Sequence, residues 1–245
     1  MHYLFNLIFF QPLYNALVWF TDILPGGTIG WSVILLTVVV RLLLFPLQYR
    51  MTHTQRKLKE LEPTLKELKT KHADDQKAQA EAMMALYREH GINPFSGVLL
   101  LIIQIPLLLA LYWVFRSGFN FKPELLYSFV PLPTTLSPLF LGFIDLTKRS
   151  IVLALLAGAA QYFQLQLALP PTPKNTPTVN DKPSLSSDLA KNMSRQMRFT
   201  FPIMITIIGF GLPAAISLYW VTSNLFGVLH ELIVRKRAQA LVTTN

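Results

Sequence analysis

One arginine stands where charge is least welcome. In "TVVVRLLLFP", residues 37–46, Arg41 lies inside a run from Ile29 to Leu47 that holds no other charged residue. A guanidinium presents N–H donors in a planar fork and stays protonated, so its chemistry is recognition of carboxylates or polar acceptors rather than proton transfer. Thr37 precedes Arg41 by one helical turn and shares its face. Other apolar segments carry Gln104, Gln161, Gln164, Ser223 and Asn224. Together with Thr37 and Arg41 these residues could line one wet cavity, open on the inner side, because Arg41 lies nearer that end of its run. Insertion scales put an arginine near a helix centre at roughly +2.5 to +3.5 kcal/mol. Snorkelling toward the inner interface would relieve part of that cost. Two features weigh against snorkelling alone: Thr37 on the same face, and the lack of an acidic residue at similar depth in any other apolar segment. The chemistry is that of an electropositive pocket awaiting an acidic or polar visitor. An ion pathway, a transporter site and a polypeptide groove all fit it.

Catalytic constellations are missing. His230-Glu231 has no second histidine at the spacing of a zinc-protease helix, and no GxxxxGK[ST] is present to bind a nucleotide. No apolar segment holds paired carboxylates. The sequence has no cysteine, which excludes disulfides, thiolate metal sites, a lipid-bearing cysteine and a cysteine nucleophile. The chain is therefore expected to be no enzyme and to need no cofactor or metal.

The elements that would position Arg41 follow from composition. Hydrophobic residues make up 52% of the chain and charged residues 14%, and mean hydropathy is +0.40; an average soluble domain carries about 25% charge. Runs near 20 apolar residues match the roughly 30 Å bilayer core. They occur at 29–49, 96–116, 150–169 and 199–234, the last divided by Gly209, Gly211 and Pro213. Five spans result, and the expected class is an all-α polytopic membrane protein.

Charge sets the orientation. The formal net charge of +9 would by itself admit a nucleic-acid partner. Yet Lys and Arg concentrate in 50–93, in 170–198 and at Arg235, Lys236 and Arg237, whereas the alternate side holds only Arg116, Lys122, Lys148 and Arg149. That asymmetry places the N-terminus outside and the C-terminus in the cytoplasm, and specific nucleic-acid binding is not expected.

The expected organisation is an extracytoplasmic N-terminus with an interfacial helix (1–28), a first span (29–49), a cytoplasmic antiparallel helical hairpin (50–93) and a second span (94–116). An extracytoplasmic loop (117–149), a third span (150–169) and a cytoplasmic loop (170–197) follow. The fourth span (198–212), the fifth (213–234) and a cytoplasmic tail (235–245) complete the chain. Residues 3–24 are aromatic-rich but interrupted by Asn6, Gln11, Pro12, Asn15 and Asp22, which favours a helix lying in the interface over a sixth span. In the hairpin, Leu58, Leu61, Leu65 and Leu68 form one stripe. Pro63 predicts a kink or break, Asp75 a helix start and Gly91 a helix stop. From Arg198 to Leu212 the fourth span is only about 22 Å long, short enough to thin the bilayer or admit water. Tyr219 and Trp220 are either packing aromatics or cavity residues.

Three stretches, in order and correctly spaced, resemble the YidC/Oxa family of membrane protein insertases. They are "GWSVILLTVVVRLLLFPLQYR", "EAMMALYREHGINPFSGVLLLIIQIPLLLALYWVF" and "GLPAAISLYWVTSNLF". The likeness covers nearly the whole chain and is similar to the compact five-span form. It implies an insertase and chaperone that works without nucleotide hydrolysis. A hydrophilic groove, open to cytoplasm and lipid, would use Arg41 to attract the acidic or polar tail of a nascent membrane protein. Carried over by motif, Arg41 and Thr37 fall in that groove, with Trp220 on the last helix and Gln164, or Gln161 in a competing register, on the third span. Tyr219, Asn224 and Gln104 complete the expected substrate-binding set. The implied partners are nascent membrane proteins and membrane lipid, with the ribosome and Sec translocon as further candidates. No signal peptide or lipid-modified cysteine is expected, and the short, modestly basic tail "RKRAQALVTTN" argues against strong ribosome tethering. Two other classes use the same arginine differently: an anion transporter or channel, which should show an internal repeat, and a non-catalytic scaffold in which Arg41 snorkels.

Overall fold

The apolar runs lie in helices, the last of them divided between two. The computed structural model describes residues 2–73, 75–93, 96–116, 119–168 and 185–242. Its helices are α1 (His2–Phe5), α2 (Gln11–Ile23), α3 (Ile29–Glu60), α4 (Glu62–Lys71), α5 (Gln76–Glu89), α6 (Ser96–Arg116), α7 (Ile151–Ala168), α8 (Leu185–Gly211) and α9 (Ala214–Val242). Among the described residues, three helical stretches are long and apolar enough to cross a membrane: Tyr3–Ile23, Ile29–Thr52 and Ile151–Ala168. Gln104–Arg116 and Arg198–Gly211 are shorter apolar helices. Two compact units emerge, residues 1–41 with 109–245 and residues 42–108.

Helices outrun the apolar runs that seeded them. α3 continues through Pro46 to Glu60, α8 begins at Leu185 rather than Arg198, and α9 extends past Val234 to Val242. Residues 185–197, expected in a loop, are helical; the proline-rich 169–184 lies outside the described residues. Hydrogen bonding along the backbone does not stop where the bilayer stops, so a polar but propensity-compatible flank prolongs a helix. Residues 3–23 likewise form one helical stretch, passing from α1 to α2 through a π-helical turn at Asn6–Phe10. The polar residues expected to interrupt it are absorbed. Asn15, buried, donates to the carbonyls of Gln11 and Leu125 at 2.8 and 2.9 Å and accepts from the Tyr127 N–H at 2.6 Å, stitching α2 to the 122–127 segment.

Within the first unit, α7 packs against both α8 and α9. Its inward residues are Leu153, Ala154, Ala157, Gly158 and Ala160, small enough for close backbone approach, as membrane helix pairs require. A Cβ on Gly158 would fall 1.9 Å from Thr206 Oγ1 and 3.0 Å from the Pro202 carbonyl oxygen of α8. The start of α9 is satisfied by the loop that precedes α7: Ala214 and Ala215 N–H donate to the carbonyls of Lys148 and Leu146 at 2.7 and 3.2 Å. That loop also contains β structure that helix-based reading did not foresee. Strands β1 (Leu139–Phe140) and β2 (Ile144–Asp145) pair antiparallel, and Leu141 and Gly142 between them both adopt positive φ.

In the second unit the chain breaks at Leu61, and Pro63 sits in the first turn of α4, where its missing N–H costs nothing. Asp75 caps α5, accepting from Lys77 and Ala78 N–H at 2.9 and 3.0 Å, an arrangement of about 1 kcal/mol. Gly91, at φ 62°, closes α5: its N–H donates to the Arg88 carbonyl and that of Ile92 to the Tyr87 carbonyl, a Schellman ending. Gln79 Nε2 donates to the Lys69 carbonyl at 3.0 Å, tying α5 to α4.

Candidate functional site: a polar face shared by three helices

A residue facing outward at one position is joined on the same helical face by those three, four and seven positions on. On α3 this groups Thr37 with Arg41. On α7 it groups Ala157, Gln161 and Gln164, and on α9 Trp220, Ser223, Asn224 and Gly227. The structure brings these faces together pairwise.

Arg41 meets α9. Its Nε donates to Ser223 Oγ at 2.8 Å, and its Nη2 donates to the same oxygen. Ser223 is buried and Arg41 half-buried, so one acceptor within the protein holds one edge of the fork. The Nη1 group makes no hydrogen bond or ion pair with any described residue. One edge is thus fixed while the other can still form a charge-assisted, fork-to-carboxylate bond. Thr37, buried one turn away, donates to the Val33 carbonyl at 2.6 Å, so its proton is spent within α3.

The α7–α9 contact carries the amides. Asn224 Nδ2 donates to the Ala157 carbonyl at 3.4 Å, and Gln161 Nε2 to Gln164 Oε1 at 3.5 Å. Gln164 lies over Gly227: a Cβ there would come within 2.5 Å of its Nε2. Gln164 is therefore seated by a glycine, whereas Gln161 leans on Gln164. Trp220 is half-buried on the Ser223 face; Tyr219 is buried in the interior. Gln104 belongs to the second unit, half-exposed on α6.

Composition alone ranked Ser223 with the other polar residues and did not single it out as the arginine's partner. The usable signal was its three-residue spacing from Trp220 and four-residue spacing from Gly227. Arg198, which the sequence presents only as a topology charge, carries a buried guanidinium that donates from Nη1 to Gln166 Oε1 at 3.3 Å between α8 and α7. Among the described residues no cluster of histidine, aspartate or glutamate could hold a metal ion. A cleft of about 220 Å³ lies away from this face, lined by Asp22, the Pro25–Gly27 turn and Thr134–Thr135.

A multi-helical, apolar chain of this kind is a polytopic membrane protein. Comparison with known proteins specifies which kind. The family model described as the 60Kd inner membrane protein matches residues 19–241. The chain is 36% identical over 211 residues to "Membrane protein insertase YidC" of Helicobacter pylori, covering 86% of this chain and 33% of that protein. It is 30% identical over 239 residues to the protein of the same name from Fusobacterium nucleatum, covering 97% of this chain and 99% of that one. The Wolinella succinogenes protein of that name is 30% identical over 240 residues, covering 98% of this chain and 39% of its own length. The chain therefore belongs to the YidC/Oxa family of membrane protein insertases, a family of multi-pass inner-membrane proteins and not a class of enzymes. It spans about a third of the length of the Helicobacter relative, and nearly all of the Fusobacterium one.

Proposed function

We propose that this chain inserts nascent membrane proteins into the bacterial inner membrane, holding their polar or acidic tails at Arg41 while their hydrophobic segments pass into lipid. The observation that carries the reading is the half-committed guanidinium: Ser223 fixes its Nε and Nη2 edge, and Nη1 stays without a described partner. A charge held in place but unspent in a low-dielectric setting attracts an acidic group more strongly than the same charge in water. Gln161, Gln164 and Trp220, half-buried on α7 and α9, would present polar and aromatic surface to the passing chain, and the buried Thr37, Asn224 and Tyr219 complete the proposed set in this unit. Five spans run N-terminus out and C-terminus in, with residues 3–23 at the outer interface, α4 and α5 forming a cytoplasmic hairpin, and the groove opening to the cytoplasm. The driving energy is transfer of apolar substrate into lipid, about 25 cal/mol per Å², so no nucleotide is needed. Ribosome and Sec translocon are proposed as partners in delivery.

Site-directed crosslinking tests this. A photoreactive residue replaces Trp220 or Gln164 while a stalled ribosome presents a small membrane protein with an acidic N-terminal tail. Crosslinks that weaken when the tail's acids are neutralised support a polypeptide groove read by Arg41. Folded, inserted protein that crosslinks at neither site would redirect attention to an anion transporter or channel.

A further inference from the structure

We infer that the β1–β2 hairpin is a lipid-embedded anchor, its Leu141–Phe143 tip inserted into the leaflet at which α3 begins. Phe143 is 74% exposed, Leu141 57% and Leu139 44%, while Phe140 on the opposite face is 8% exposed. The tip therefore displays apolar side chains outward although its own inner face is packed. Its backbone makes the display stranger still. Leu141 has φ 54° and Gly142 φ 83°, the sign pattern of a type I′ turn, closed by Phe143 N–H donating to the Phe140 carbonyl at 3.3 Å. Asparagine, aspartate or glycine suits the first positive-φ position of such a turn, and leucine is strained there. A turn facing water has no use for a side chain that is both strained and poorly hydrated. A turn facing hydrocarbon does.

Continuity with a membrane-crossing helix names the occupant. Phe140 packs on the first turn of α3: a Cβ on Gly30 would fall 2.3 Å from its ring, and the Trp31 ring meets it edge-on at 5.6 Å. Trp31 is itself half-exposed, at the start of the Ile29–Thr52 stretch that is apolar enough to span a bilayer. Tryptophans at span ends mark headgroup depth, so the hairpin clamped beside this one stands at the same level. Pairing of Ile29 N–H with the Ser137 carbonyl and of Ser137 N–H with that of Gly27 fixes its angle of departure. Charge is partitioned to match. Residues 125–144 carry no charged side chain, and the first charges return at the base, where Lys148 Nζ meets Asp145 at 2.9 Å. Bilayer lipid is therefore the partner, in preference to a protein segment or a second copy of this chain.

The absence of native cysteine makes the test direct. Phe143→Cys and, separately, Leu141→Cys are labelled with a small fluorophore in the full chain reconstituted into phosphatidylcholine–phosphatidylglycerol vesicles at less than one copy per vesicle. Thr134→Cys, in the same loop, is the exposed reference. The expected result is strong quenching of both tip labels by doxyl-labelled lipid and protection from iodide relative to position 134. Iodide quenching at the tip equal to that at position 134 would overturn the inference. So would protection from both quenchers, which would mean that protein covers the tip.

Discussion

Substituting Ser223 separates the two things Arg41 could be doing. Ser223→Ala removes the one acceptor that holds Nε and Nη2 but leaves the charge in place. Hydrogen bonds to charged groups contribute about 1.5–3 kcal/mol, whereas side-chain bonds between membrane helices average only about 0.6 kcal/mol and reach about 1.7. Because Arg41 is half-exposed, water can take the place of the lost acceptor, which puts the pair near the lower figures. A coupling of about 1 kcal/mol is expected, roughly a fivefold change in the unfolding equilibrium. A double-mutant cycle of Arg41→Ala and Ser223→Ala, unfolded by SDS in mixed micelles, reads that coupling. Insertion is then measured by protease protection of an acidic-tailed substrate in proteoliposomes at matched amounts of folded protein. Arg41→Ala should abolish most insertion and Arg41→Lys should keep most of it. Ser223→Ala should lower it by no more than about threefold, equivalent to well under 1 kcal/mol. If Ser223→Ala insertion fell as far as that of Arg41→Ala, the guanidinium would be acting by tying α3 to α9, and its role as a docking charge would be refuted. Equal insertion by the Ala and Lys variants would refute it too.

Three other outcomes follow from the geometry. Gly158→Ala should destabilise α7–α8 packing, overpacking of about 1–3 kcal/mol outweighing the roughly 1 kcal/mol gained by removing a helical glycine, and Thr206→Ala should restore most of the loss by removing the nearest atom; a stabilised Gly158→Ala in micelle unfolding would contradict the close approach. Thr37→Val, which deletes a hydroxyl already bonded to the Val33 carbonyl, should lower insertion less than Arg41→Ala does and cost under about 1 kcal/mol in SDS unfolding. Asp145, hydrogen-bonded by the Thr147 hydroxyl and by Lys148, has its carboxyl held down at about 2 against an ordinary 3.8. Its contribution to the 139–148 segment is present above the ordinary value and lost as pH falls through about 2, so amide-exchange protection of Ala214 and Ala215 should decline across that window and Asp145→Asn should flatten the decline.

Much of this was legible in the sequence, for identifiable reasons. Arg41 announced itself because a lone charge in an apolar run has few explanations. Asp75 and Gly91 were readable as helix start and stop because their chemistry is local. The helical flanks 185–197 and 235–242 were not, because hydropathy marks the bilayer and not the hydrogen-bond ladder. The β1–β2 pair was hidden by its shortness: four residues carry no periodicity, and leucine at positive φ runs against the turn signal that would have exposed it. Ser223 was visible as a residue and invisible as a partner, since nothing in α9 says which of its faces meets α3.

The structure also revises what polar residues in a span mean. Thr21, Ser32, Thr37, Thr206 and Thr222 each donate to the carbonyl four residues back, at distances from 2.6 to 3.0 Å. A hydroxyl can discharge its proton within its own helix, so its presence in an apolar run is weak grounds for a wet cavity. Longer groups can also reach beyond their own helix. Arg41 and Asn224 reach another helix, Arg41 at Ser223 and Asn224 at the Ala157 backbone, whereas Gln164 bonds Gln161 on its own helix and lies against Gly227. Ser223 differs from the other hydroxyls in this respect, since its oxygen accepts from a charge across the α3–α9 contact. The physical definition of the site is therefore narrower than the polar content of the spans. Among the described residues, the proposed site draws on groups whose hydrogen bonds leave their own helix, Arg41 and Asn224, with Arg41 supplying the charge.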